Sequence, residues 1–305
     1  MTSMRCLLGW LGIVVLLGQP AGGEERPALA FRFGDGGAWH FATGSLEGTL
    51  RPDGRSLGLA PLRWSDSQTP IADAYGVLSH YRVFTSERRF GNAAWEWSST
   101  AAPAEDGGVE IHWEATEDRP FEMRAVYAWR AADTLDVTTT VTARERLPGF
   151  ELFLASYFAG GFTSSRVYAR QEPGGETGFL EAERSAGVWQ MFPRDEAAVA
   201  VIGDGRWRHE PHPVAWEIRP ALAAPLALRR DQSSGLTALV MAPAEDCFAV
   251  STPYSEEGHR SLYLSLFGRD IAAGETASAR ARLVVAPRLS DEDAVTRYRA
   301  YIEGL

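Results

Sequence analysis

Apolar residues recur at every second position along most of this chain, in short runs closed by turn dipeptides. That period builds half-buried strands and rules out a bundle of amphipathic helices. Val109, Ile111 and Trp113 share one side of their run, and Glu110 and His112 share the other. Phe121, Met123, Ala125, Tyr127 and Trp129 repeat the pattern, as do Leu135, Val137, Thr139 and Val141. Residues 150–158 are almost continuously apolar, as a strand covered on both faces would be. Further strands are expected at 197–202, 236–242, 247–251, 261–267 and 277–286, the last with Ala279, Ala281, Leu283 and Val285 inward and Arg280 and Arg282 outward. Asp-Gly at 35–36, 53–54, 106–107 and 204–205 tolerates the positive φ angles of tight hairpins.

One helix is expected. Ser290 can cap it with Asp293 at the capping-box position, and Asp291 and Glu292 suit the positive end of its dipole. Val295, Tyr298 and Ile302 then form its buried stripe. The expected fold is all-β, a large antiparallel β-sandwich over residues 24–289 with a short C-terminal packing helix at 290–305. Gly174-Gly175 and the 211–225 stretch read as loops within that body.

Residues 1–23 read as a secretory signal peptide, with Arg5 in the n-region, an apolar run from Leu7 to Leu17, and a small-residue exit at Gln19-Pro20-Ala21-Gly22-Gly23. The apolar run is too short to span a bilayer, so a secreted or periplasmic protein with no membrane insertion after cleavage is expected. Cys6 leaves with the signal. Cys247 then stands alone, reads as a small buried hydrophobe, and leaves no intramolecular disulfide to form. The chain of 305 residues is long enough to fold around its own core without staples. Its 30 basic residues, all arginine, face 40 acidic ones, a balance that argues against a nucleic-acid partner.

Several chemistries are excluded by what is missing. The absence of lysine forbids a P-loop and a Schiff base. There is no dinucleotide fingerprint between a strand and a helix, no H-E-x-x-H, no C-x-x-C pair and no G-x-S-x-G elbow. No cofactor and no metal are expected.

Three clusters could carry chemistry. In the first, Ser79-His80-Tyr81-Arg82-Val83-Phe84 precedes Arg88-Arg89 and Trp95-Glu96-Trp97. On a regular strand His80 and Arg82 point the same way, opposite to Tyr81, and Trp95 and Trp97 share a face. Indole faces stack on sugar C–H surfaces, and arginine orients hydroxyls or carboxylates. The alternative is a half-buried strand whose tryptophans are core. The second cluster is Arg206-Trp207-Arg208-His209-Glu210-Pro211-His212-Pro213 with Trp216, either a loop over a sugar cleft or an ordinary solvated loop. Two histidines three apart on a proline-held loop are too weak a signal for a metal. The third is Tyr254-Ser255-Glu256-Glu257-Gly258-His259-Arg260, leading through the 261–267 strand to Arg269. It offers a carboxylate beside an imidazole for acid and base work, or merely a decorated hairpin tip. Candidate catalytic residues are thus His80, His209, His259 and Glu257. Candidate substrate-binding residues are Arg82, Arg88, Trp95, Trp97, Trp207, Trp216, Tyr254 and Arg269. Glu151, inside the apolar 150–158 run, needs a buried arginine or hydrogen-bonding partner.

The run Gly44-Ser45-Leu46-Glu47-Gly48-Thr49-Leu50 with Asp53-Gly54 and Gly58-Leu59 resembles the entry strands of galactose-mutarotase-like β-supersandwiches. So do Thr134-Leu135-Asp136-Val137, leading into 150–158, and Ala273-Gly274-Glu275-Thr276 before the last strand. The likeness covers residues 30–286. It implies sugar binding across a concave sheet, with His80 and Arg82 at substrate-binding positions. It also implies a histidine acid and a glutamate base, and here the chain departs from the pattern. Ala155-Ser156-Tyr157-Phe158 puts Ser156 where the histidine would stand, and the 261–267 strand holds no carboxylate. The expected function is therefore a carbohydrate-binding or carbohydrate-processing protein without mutarotase activity. Alternatives are a surface protein-interaction domain with no small ligand, and a lyase or hydrolase acting on anionic polysaccharide. Whether the chain is an enzyme is left open by the residues.

Overall fold

The computed structural model describes residues 29–51, 56–171 and 175–305. The expected signal peptide at 1–23 and the Asp53-Gly54 turn lie outside the described residues. Strands β1 (Arg32–Phe33), β2 (Trp39–Ala42), β3 (Leu46–Leu50), β4 (Leu59–Trp64) and β5 (Thr69–Ala72) form one sheet in chain order. There follow β6 (Ser79–Phe84), β7 (Thr100–Pro103), β8 (Val109–Trp113), β9 (Phe121–Ala131), β10 (Thr134–Ala143), β11 (Leu147–Tyr157), β12 (Phe162–Arg170), β13 (Thr177–Glu181) and β14 (Trp189–Pro193). Helix α1 (Glu196–Ile202) comes next, then β15 (Glu217–Ile218), β16 (Leu222–Asp231), β17 (Leu236–Met241), β18 (Cys247–Pro253), β19 (Ser261–Ile271), β20 (Thr276–Pro287) and helix α2 (Asp291–Glu303).

A nine-stranded sheet runs β13-β12-β16-β17-β20-β10-β9-β8-β7, and a six-stranded sheet runs β15-β14-β18-β19-β11-β6. Neighbouring strands are antiparallel except β14 and β15. The alternating residues meet between the two sheets: Trp113, Tyr127, Val137 and Leu283 from one, and Leu152, Leu154, Leu264 and Leu266 from the other, share one core with Phe41, Leu46 and Leu62 of the small sheet. Burying each such side chain contributes about 1.5–3 kcal/mol, which fixes the register through the parity of the strands. The far face of the nine-stranded sheet is closed by α2. Its capping box forms as expected, with Ser290 Oγ accepting from the Asp293 amide. The stripe, however, is Ala294 and Tyr301, flanked by half-buried Val295 and Tyr298. Ile302 lies outside it, because the helix presents positions 294, 298 and 301 to Leu228, Leu239 and Met241. No described helix is long and apolar enough to cross a membrane.

One expected strand is a helix. Residues 197–202 alternate, but Asp195 accepts a hydrogen bond from the Ala198 amide at 2.8 Å and nucleates α1. The alanines then favour the helix over an unpaired strand. Of the described Asp-Gly pairs, 35–36 and 106–107 close hairpins, with Gly36 at φ 70° and Asp106 and Gly107 at φ 56° and 74°. Asp204-Gly205 instead turns the chain out of α1 into the segment that covers the six-stranded sheet.

Candidate ligand-binding cleft

The outward face of the six-stranded sheet carries the chemistry, and an irregularity in β6 decides which residues reach it. Phe153 of β11 pairs with Arg82, and Leu154, one step on, pairs with His80. Two residues of β6 thus span one step of β11, and Tyr81 is the extra residue of a β-bulge that breaks the alternation. Tyr81 and Arg82 both line the outward cleft, whereas His80 turns inward. His80 is 0% exposed, with Nε2 2.9 Å from Thr139 Oγ1, Nδ1 3.3 Å from the Tyr127 hydroxyl, and its ring 5.0 Å from Trp113. Burial pushes its pKa down to about 3. The expectation that His80 and Arg82 share a face holds only for a regular strand; the bulge turns His80 into the core, where it does not line the cleft.

The segment from α1 to β15 lies over this face. Ala198 and Ile202 of α1 pack with Met191, Phe248 and Trp207. Arg206 anchors the segment, donating to Glu151 Oε2 at 3.1 Å, to the Gly149 carbonyl at 2.8 Å and to Asp204 at 2.7 Å. Glu151 thereby finds the buried arginine it needs. The anchor holds Trp207 at 4.8 Å from both Phe84 and Phe153, and Trp216 meets Trp207 edge-on at 5.1 Å.

Between sheet and segment lies a hollow of about 400 Å³. Tyr81, Arg82, Tyr157 and Tyr263 form its polar floor, Trp189, Trp207 and Trp216 its walls, and His212 and His259 its rim. Tyr157 and His259 also line a second hollow of about 410 Å³, bordered by Asp73, Tyr75 and Glu257. The two hollows adjoin, with Tyr157 and His259 lining both, and together make up the groove. Tyr75, 56% exposed, lies 5.3 Å from the Tyr157 ring, and Trp95 stacks on Tyr81 at 4.3 Å with planes 3° apart.

The floor is held protonated and cationic. Ser261 Oγ donates to the Tyr263 hydroxyl at 2.7 Å. Burial pushes Tyr263 up to about 12 and Tyr157 higher still, so both hydroxyls remain donors. Arg82 Nη1 donates to the His212 carbonyl at 3.0 Å and Nη2 to the Tyr81 hydroxyl at 3.3 Å. Arg89, beside it, donates to the Pro211 and Asn92 carbonyls. Burial first, and then the Arg82 charge, pull Arg89 down to about 10. At the rim, His259 Nδ1 sits 2.9 Å from both Glu257 oxygens, and Glu257 also accepts the His259 amide at 2.7 Å. Buried Arg229 supports this loop by donating to the Ser255 and Ser261 carbonyls at 3.2 and 3.4 Å.

Arg82, Trp207, Trp216, Glu257 and His259 therefore converge on the groove, with Trp95 stacked behind its edge. The others do not. Trp97 packs against the inter-sheet core beside Phe121, under Arg119 at 4.2 Å, because residues 94–96 form a 3-10 turn that separates it from Trp95. Arg88 is exposed over Phe90. His209 ends the Arg206–Arg208 turn and lines neither hollow, whereas His212 reaches the rim. Tyr254 lies under Arg184, and Arg269 is paired with Glu275 at 3.0 Å at the far end of β19. Ser156 is a core residue whose Oγ accepts from the Leu78 amide at 3.1 Å. Cys247 is buried, and burial pushes its thiol up to about 12. Among the described residues no three His, Cys, Asp or Glu side chains are grouped to hold a metal ion. Tyr157 and Tyr263 were not singled out from the sequence. The parity of β19 carried that signal, since Ser261, Tyr263 and Ser265 oppose Leu262, Leu264 and Leu266.

No protein-family model matches the chain, and no curated protein matches it in sequence. Solved structures do share its fold. A galactose mutarotase-like protein from Lactobacillus casei superposes with a TM-score of 0.51 at 9% identity, over 82% of this chain and 100% of that one. The Slr1438 protein from Synechocystis gives 0.51 at 12% identity, over 82% and 96%. An α-N-acetylgalactosaminidase from Bifidobacterium bifidum in complex with GalNAc gives 0.53 at 12% identity, over 87% of this chain but 39% of that one. The fold is that of the galactose-mutarotase-like β-sandwiches.

Proposed function

We propose that this protein binds carbohydrate in the groove over the six-stranded sheet. We further propose that it does so outside the cytoplasm, exported by residues 1–23, with residues 24–289 as the β domain and 290–305 as its packing helix. One observation carries the reading: a floor of tyrosine hydroxyls and a guanidinium lies between tryptophan walls. Indoles take the C–H faces of a sugar ring, and convergent donors take its hydroxyls, which is the usual division of labour in a small-molecule site. The carbohydrate-related names of proteins sharing the fold agree with it. The test is a glycan array probed with the purified protein and with Trp216→Ala. Selective binding weakened about tenfold in the variant, the worth of one aromatic stacking platform, is expected. Silence from a folded protein overturns the reading.

His259, oriented by Glu257 where the two hollows join, favours a second reading in which the bound glycan is also cleaved. Incubation of any array hit with the protein, followed by product analysis, separates binding from turnover.

A further inference from the structure

Among the described residues, Arg82 and Arg89 have no carboxylate within ion-pairing distance, although many other arginines of this acidic chain do. Arg82 is 6% exposed and Arg89 9%. Their acceptors are backbone carbonyls and the Tyr81 hydroxyl, and the Nε–H of each has no acceptor among the described residues. Burying a guanidinium without an ion-paired carboxylate is costly, and burying two side by side adds their repulsion, which the exposed Glu210 near Arg89 offsets only in part. Arg82 nevertheless opens onto the tryptophan-walled hollow. The whole chain carries 40 acidic residues against 30 basic ones, Arg82 and Arg89 included, so the positive charge here is local to the groove. The adjoining hollow is bordered instead by two carboxylates, Asp73, 3.9 Å from Arg63, and Glu257, 2.9 Å from His259. Each hollow alone, at about 400 and about 410 Å³, has the volume of a small-molecule site.

We propose that the groove takes an acidic saccharide of at least two units, a uronate next to a neutral sugar, with the uronate carboxylate at Arg82 and the neutral unit between Tyr75 and His259. This rests on the carbohydrate reading above and adds the charge and the polarity of the ligand to it. A planar carboxylate matches a guanidinium fork and supplies the missing counter-charge. The second hollow offers Asp73 and Glu257 and no unpaired guanidinium, so a second uronate is disfavoured there, which sets the direction in which the disaccharide lies. His259, on the border of the two hollows, then faces the linkage.

The test is titration of the full protein with uronate-containing disaccharides of gluco, galacto and manno configuration, each beside its carboxyl-reduced neutral counterpart. Charged hydrogen bonds predict that in at least one pair the acid binds roughly tenfold to a hundredfold tighter. Arg82→Met is expected to erase that preference and Arg82→Lys to retain part of it. The wild-type comparison decides the matter even where the Met variant fails to fold. Equal or tighter binding of the neutral members overturns the acidic ligand and leaves the carbohydrate reading standing. No binding to any pair, from a protein equally silent on the glycan array, overturns both. A neutral disaccharide bearing a sulfate ester is the last arm: tighter binding of it than of every uronate overturns the demand for a carboxylate.

Discussion

The pair Glu151–Arg206 is the anchor on which the cleft wall depends, and its removal has a calculable signature. Both side chains are essentially unexposed, at 0% and 1%, with Nη1 3.1 Å from Oε2. Arg206→Met leaves an ionised carboxylate buried beneath the 206–216 segment and also cuts the bonds to Gly149 and Asp204. Breaking one half of such a pair costs about 3–5 kcal/mol at neutral pH. For a chain of this size that lowers the melting temperature by about 5–8 °C. Removing both charges, as Arg206→Met with Glu151→Met, is expected to recover at least about 2 kcal/mol of the loss, because the uncompensated charge is gone. The pH dependence follows from the sign of the Glu151 shift. Burial raises its pKa, with Arg206 opposing, and without Arg206 the raising influences of burial and of Asp204 are opposed only by the Ser265 hydroxyl. A carboxyl raised in the folded state contributes stability in its protonated form, present at low pH and lost as pH rises. The penalty of Arg206→Met therefore shrinks on acidification from about pH 7 to about pH 5, read from urea midpoints against wild type at each pH. A penalty flat across that range, or a double variant no more stable than the single one, refutes the reasoning.

Two further outcomes separate residues that the sequence joined. Trp95→Ala is expected to weaken glycan binding with little loss of stability, whereas Trp97→Ala costs about 2–4 kcal/mol in thermal unfolding and leaves the affinity of the folded protein unchanged. The reverse assignment would show that the turn at 94–96 does not divide them. His80 is held neutral by burial, its pKa depressed to about 3, so its contribution is present above its unfolded pKa and lost as pH falls. His80→Gln is expected to flatten the acid limb of the stability curve below about pH 6.5, where the native histidine contributes up to about 1.4 kcal/mol per pH unit. An unchanged slope in denaturant titrations would place the proton elsewhere.

Strand parity was legible where strands are regular. Val109–Trp113 and Thr276–Pro287 sit as their alternation requires, and the capping residues of α2 announced themselves. The need of Glu151 for a cationic partner followed from burial alone, but its partner came from 55 residues away in sequence, which no local pattern encodes. The cleft was legible as a composition and not as a constellation. Arg82, Trp207, Trp216 and His259 were visible as types, yet the same signals named His80, Arg88, Tyr254 and Arg269. The bulge in β6 takes His80 out of the cleft and the Glu151–Arg206 pair holds Trp207 in it, and neither is written in a local pattern. Residues 197–202 misled for a similar reason, since alternation in an alanine-rich run cannot compete with a capping aspartate.

The bulge in β6 also means that the strand carries one residue of slack. His80 faces Leu154 and Arg82 faces Phe153 as they would in an unbroken ladder, with Tyr81 interposed. Excising Tyr81 would leave both neighbours opposite their present partners. A shortening that would elsewhere exchange the two faces of a strand here removes the ring on which Trp95 lies and the hydroxyl that accepts from Arg82. The groove can therefore lose or regain one side chain of its floor in a single codon, while the sandwich beneath keeps its pairing.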